Sequence, residues 1–241
     1  MKKLTTIVAS LLVATLSFAS TANSLEFKAG VTGQQAAYFG NVEETLKDSG
    51  RKSSDEAVAA FSYASIFGEV SFDTVYGVTF GLEYTPDSIT MEDASRTIQN
   101  PNGTDATVSA LGSGTTDVET AGEQQLIKAS VEDMMSVYIA VPLMDTGLFA
   151  KVGYTNATLN TKETLVTGSS YKDEDLDGMN IGVYYDGGLG EMLFYRVEGS
   201  YQYFDDIKIT GSDVGGTAGS FNTITAELGG IAAKVSLGLK F

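Results

Sequence analysis

The last eleven residues constrain the fold more than any other stretch. Ile231, Ala233, Val235, Leu237, Leu239 and Phe241 are apolar at every second position, with Ala232, Lys234, Ser236, Gly238 and Lys240 between them. A period of two puts these sets on opposite faces of a β-strand. The pattern recurs upstream: Leu193, Tyr195, Val197, Gly199, Tyr201 and Tyr203 alternate with Phe194, Arg196, Glu198, Ser200 and Gln202. Met179–Tyr185, Leu148–Tyr154, Tyr76–Tyr84 and Leu25–Val31 repeat it, and noisier segments at Phe61–Phe72 and Ile127–Val141 bring the strands to eight. Three connections are short: Asp73-Thr74-Val75, Met144–Gly147 and Asp186–Gly190. Four are long and polar: Asn41–Ala57, Pro86–Gln125, Leu159–Gly178 and Asp205–Asn222. Long and short alternate strictly. The expected fold is therefore all-β: an eight-stranded antiparallel up-and-down transmembrane β-barrel with four long extracellular loops and three short periplasmic turns.

The N-terminus fits an exported chain. Met1-Lys2-Lys3 is a short basic region, Leu4–Phe18 is uncharged and largely apolar, and small residues follow at Ser20-x-Ala22 or Ala22-x-Ser24. Such a run is too short to span as a helix, so residues 1–22 are expected to be a removable signal peptide and 23–241 the barrel. Removing Lys2 and Lys3 leaves 13 basic and 31 acidic residues, a net −18. That charge argues against nucleic acid as a partner. There is no cysteine for a disulfide framework, and no histidine, the commonest general base and zinc ligand.

A soluble sandwich shares the alternation, so the choice of lipid over a second sheet rests on three features. Tyr76 and Tyr84 stand eight residues apart, ~26 Å along a strand. A ~40° tilt reduces this to ~20 Å, near the apolar band between aromatic girdles. The polar faces carry both signs in near balance: Lys28, Lys128, Lys151, Arg196 and Lys234 against Glu69, Glu83, Glu132 and Glu198. Within a narrow lumen such charges must pair. The acidity lies elsewhere, with 20 acidic and 7 basic residues in the four long loops. By parity Asp133 faces lipid, so it is expected near the outer rim or beside a bulge at Met134-Met135. A ten-stranded count stays open should Pro86–Gln125 contribute a hairpin, with Thr107–Leu111 as an extension.

With these residues in view, the chain resembles the small outer-membrane β-barrel family, the OmpA/OmpX-like group, over its whole mature length. The resemblance rests on the leader, the loop-turn alternation, the segment Phe194–Tyr201, and the ending Val235, Leu237, Leu239 and Phe241. That ending resembles the C-terminal signal read by the barrel-assembly machinery. The resemblance implies a monomer in the outer membrane, with lipid and lipopolysaccharide as neighbours, and the assembly machinery and periplasmic chaperones as partners during biogenesis. Unlike OmpA, the sequence shows no periplasmic domain after the barrel, so cell-wall anchoring is not expected.

Asp173-x-Asp175-x-Asp177-Gly178 matches the opening of an EF-hand loop, but the bidentate glutamate is missing, because position twelve is Tyr184. A weak calcium site, or divalent ions bridging lipopolysaccharide, is the functional reading; an acidic loop end is the plainer one. No other cofactor is expected. Barrel enzymes acting on lipid A or peptides generally resemble one another in needing a histidine, so the chain is expected to be non-enzymatic. The leading expectation is an envelope-structural protein presenting acidic loops for adhesion or recognition. The rival is a small-solute channel with a narrow polar lumen, as in barrels similar to OmpW. Inward Gly77, Gly81, Gly153, Gly182 and Gly238 favour free lumen; inward charges with Phe149, Tyr184 and Phe194 favour a plug.

Overall fold

The structure is a computed structural model and describes residues 25–45, 52–72, 77–98, 123–164, 169–170, 172–213 and 223–241. The expected leader, the turn at 73–75 and the segment 107–111 lie outside these residues. Twelve strand segments follow in order: β1 (Leu25–Thr45), β2 (Lys52–Phe72), β3 (Val78–Thr85), β4 (Ile89–Ile98), β5 (Glu123–Pro142), β6 (Leu148–Thr164), β7 (Ser169–Ser170), β8 (Glu174–Gly188), β9 (Leu193–Phe204), β10 (Ile207–Thr210), β11 (Ser212–Asp213) and β12 (Thr223–Lys240). They form eight staves, in the order β1, β2, β3 continued by β4, β5, β6, β8, β9 continued by β10, and β12, which pairs back to β1. Every pairing is antiparallel, as expected for an up-and-down barrel. Pro86 breaks one stave and Asp205-Asp206 another, so the wall stays eight staves round rather than ten. Phe27 and Phe241 exchange backbone hydrogen bonds of 3.2 and 2.9 Å where the two ends meet.

Register fixes the geometry. Carried round the wall from Lys28 through Glu69, Gly81, Tyr138, Gly153, Asn180, Gln202 and Gly230, the pairing returns to β1 at Tyr38, ten residues on. In eight strands that offset sets a tilt of ~40°, so each residue climbs ~2.5 Å along the axis and each step to the next stave ~3 Å.

The expectation about strand length changes, and the one for Asp133 holds. Staves run well past their expected ends: β1 and β2 pair through Thr45 and Lys52, inside what reads as a polar loop. Alternation fails as a signal there, because a wall standing in water on its outside no longer needs apolar residues on that face. In β5 the register shifts between Glu132 and Met135, and Asp133 takes φ 53°. One extra residue at this β-bulge reverses parity above it. Asp133 sits exposed at the rim, accepting a 3.1 Å hydrogen bond from the Tyr84 hydroxyl.

The interior has two tiers. Below, the outward side chains Val137, Val152, Ile181, Val197 and Leu237 are exposed while charged groups lie buried inside. Apolar-out and polar-in is the arrangement a lipid surround demands. Above the tyrosines of the outer girdle the sense inverts. Tyr38, Tyr63, Ile89, Val131, Met134, Leu176, Phe204, Ile207 and Ile209 form a buried apolar cluster inside the barrel. There the outer face carries Asp175, Asp205 and Glu227, all exposed. Where water bathes the outside, hydrophobic burial must be inward, as in a soluble sheet protein.

Candidate functional site

Charged side chains on the inward faces of seven of the eight staves meet in the lower tier. Arg196 donates to both Glu69 carboxylate oxygens at 2.6 and 2.9 Å, and to Asp186 at 2.7 and 3.0 Å. Lys28 reaches Asp186 at 3.1 Å and, toward solvent, the part-exposed Glu26 at 3.3 Å. Arg196, Lys28, Glu69 and Asp186 form one enclosed, neutral set at the periplasmic end. Above it, Lys151 pairs with Glu198 at 3.0 Å and Glu83 at 3.3 Å, and Lys234 with Glu83 at 2.9 Å. That second set is neutral too. Tyr138 links them, since its hydroxyl donates to Glu69 at 2.6 Å and its ring lies 4.1 Å from the Lys151 ammonium.

Each carboxylate faces at least two donors or cations, which is what allows ions to persist out of water. Ser65 donates to Glu83 at 2.7 Å. The Arg196 guanidinium lies 3.8 Å from the centroid of Tyr184, whose ring stacks on Phe149 at 4.8 Å. Phe67 and Phe194 close the other side edge to face at 6.2 Å. A further layer of hydrogen bonds caps the charges: Thr32 to Ser236, Ser136 to Thr155, and Asn180 donating to Thr155.

Of the nine residues expected to form the lumen network, the structure brings together Lys28, Glu69, Glu83, Lys151, Arg196, Glu198 and Lys234. Glu132 is not among them. It sits above the bulge, opposite outward Thr158, and accepts from Ser88 at 3.3 Å and Ser130 at 3.1 Å. Lys128 pairs with Lys162 in the same upper part of β5, and its side chain lies outside the described residues. Asp186 is the member that sequence reasoning missed, because the glycines after it read as a turn. Its parity with Tyr184 was the available signal, and β8 does continue to Gly188.

The inward glycines do not leave free lumen. Tyr138 lies across Gly81, where an added Cβ would meet its ring at 2.2 Å, and Phe194 lies across Gly238 at 2.5 Å. Glycine here lets neighbouring rings lie flat on the wall and fill the centre. The cavity in the upper tier, lined by Tyr38, Ile89, Val131, Met134, Phe204 and Leu228, is about 10 Å³, room for a single water.

Asp175 and Asp177 stand at alternate positions of extended β8, ~7 Å apart, and Asp173 precedes them. An extended strand cannot wrap a cation as a loop does, and among the described residues no three acidic side chains gather round one point. Asp177 accepts hydrogen bonds from Tyr154 and, at 2.9 Å, from Asn156, which hold its carboxyl below the usual range. Val235, Leu237, Leu239 and Phe241 all face outward and are exposed.

No protein-family model matches the chain, and no curated protein matches it by sequence. Solved structures match it by shape. The outer-membrane protein OprG of Pseudomonas aeruginosa superposes with a TM-score of 0.54 at 12% identity, covering 90% of this chain and 96% of its own. The outer-membrane protease OmpT of Escherichia coli gives 0.52 at 11% identity, covering 92% and 99%. The fold is that of the small outer-membrane β-barrels.

Proposed function

We propose that this chain is a sealed, non-enzymatic barrel of the outer membrane, acting in envelope structure and in recognition at the cell surface. The observation that carries the reading is the lumen network. Four cations and four anions, paired in two neutral sets, cross the interior where a solute path would have to run. Opening such a path means parting buried ion pairs, at a cost of ~3–5 kcal/mol for each charge left alone. With passage closed, the outer surface is where interaction is left to occur. The apolar upper tier supports that by holding the wall rigid beyond the girdle, with Asp175, Asp177, Asp205 and Glu227 on its outer face. OmpT is a protease, but a likeness at 11% identity speaks of the fold alone. A chain without histidine, in which the buried carboxylates among the described residues are engaged by cations, supports the non-enzymatic reading.

Lipid and lipopolysaccharide would contact the exposed apolar band. The ending Val235, Leu237, Leu239 and Phe241 would be read by the assembly machinery. The test is single-channel recording of the refolded chain in planar bilayers. Current is expected to be absent; steady unitary conductance would overturn the sealed reading and restore the small-solute channel.

A further inference from the structure

The boundary between apolar and polar outward side chains is not level round the barrel. On β5, β6 and β8 it falls early: above Met135, Tyr154 and Met179 come Asp133, Asn156 and Asp177. On β12, β1 and β2, which lie across the barrel from those staves in the eight-stave order, the outward positions Ala37, Phe39, Val58 and Ala60 continue the apolar face. Apart from the mutually bonded Gln35 and Ser62, the residues that end it there are Asn41, Glu56 and Glu227. With the axial climb set by the register, this edge stands ~10 Å higher than the edge on the far side.

The raised patch is built as an apolar surface. Val58 is 77% exposed and Phe39 41%. The Phe39 ring lies across Gly229, where an added Cβ would meet it at 2.8 Å, and approaches Tyr201 at 6.3 Å between centroids. Gln35 and Ser62 are the polar outward residues below it, and they turn to each other: the Ser62 hydroxyl donates to Gln35 Oε1 at 2.6 Å. At the periplasmic end apolar residues are exposed on both sides: Met144 (85%), Leu189 and Met192 in the turns below β5, β6, β8 and β9, and Phe241 at the foot of β12. The step in the apolar face therefore lies at its outer edge.

We infer that the raised patch contacts lipid and that the barrel sits tilted by roughly 20°, the angle a ~10 Å step makes across a wall about 25 Å wide with its side chains. The outer leaflet then reaches Phe39 and Val58 on one side and stops below Asp133 and Asp177 on the other. The occupant is lipid rather than a partner protein because the patch is continuous with the exposed apolar band below it. This rests on the membrane reading above.

The chain has no tryptophan, so single-tryptophan variants report cleanly. Ala60 and Thr158 stand at nearly the same height on different sides, and Val235 lies within the band. Val235→Trp, Ala60→Trp and Thr158→Trp would each be refolded into phosphatidylcholine vesicles, with and without bromine on the acyl chains. Val235→Trp and Ala60→Trp are expected to lose most of their emission to bromine, and Thr158→Trp to keep it with a red-shifted maximum. Equal, red-shifted and unquenched emission from Ala60→Trp and Thr158→Trp would mean an upright barrel and overturn the inference. Blue-shifted Ala60→Trp emission that ignores bromine but follows the protein-to-lipid ratio would assign the patch to a second copy and overturn it as well. Failure of Val235→Trp to be quenched would remove the membrane reading itself.

Discussion

Replacing Arg196 by methionine keeps a long apolar stem in the lumen but deletes the cation that holds Glu69 and Asp186. The periplasmic set then carries Lys28 against two carboxylates. Glu69 keeps only the Tyr138 hydroxyl among the partners described above, and its side chain has no access to solvent. Breaking a buried pair from one side costs ~3–5 kcal/mol, because the remaining charge is neither solvated nor neutralised. That is two to almost four powers of ten in the folding constant. The double variant Arg196→Met with Glu69→Met leaves Lys28 and Asp186 as a neutral pair, so it should return to within ~1 kcal/mol of the parent. Urea titration of lipid-refolded protein, read by tyrosine fluorescence and by the mobility of unboiled samples on a gel, would give the free energies by linear extrapolation. Loss below ~1 kcal/mol in the single variant would mean that water screens these charges, as it does at a surface. A double variant no better than the single would refute the charge-balance argument.

Three further outcomes follow from the geometry. Gly81→Ala should cost ~1–3 kcal/mol, because the new Cβ displaces a Tyr138 ring pinned by Glu69 and Lys151. Gly33→Ala, with nothing within 4 Å, should be near neutral in the same urea titration. Carboxyl NMR of micelle-bound protein should place the Asp177 midpoint below the ordinary aspartate value, and Asn156→Ala should raise it. Because that value is depressed on folding, the stability it adds is present above the unfolded value of ~3.9 and is lost as pH falls through the folded one. An Asp177 midpoint at or above the ordinary value would show that the Tyr154 and Asn156 bonds are not formed.

Alternation was legible because lipid outside and side chains inside impose a strict period of two. That one regularity in Leu193–Tyr203 and Ile231–Phe241 carried the all-β class, the up-and-down order and the outward ending at Phe241. It also placed seven of the lumen charges on one face, since parity along a strand is local. What parity cannot carry is anything beyond a break in the strand. The single extra residue at Asp133 reverses the sense of everything above it, which is why Glu132 leaves the network. The glycines after Asp186 disguised a continuing strand as a turn.

Pairing between staves is non-local, and three properties depend on it. The partners of each charge follow from a ten-residue offset round the wall, which sets Arg196 against Glu69 although 127 positions separate them. The filling of the lumen follows from rings reaching across to glycines on neighbouring staves. The apolar upper tier, and the uneven height of the apolar face, follow from closing eight tilted strands into a ring. The sequence by itself decided which side chains face in and which face out; only the closed barrel decided what each would meet there.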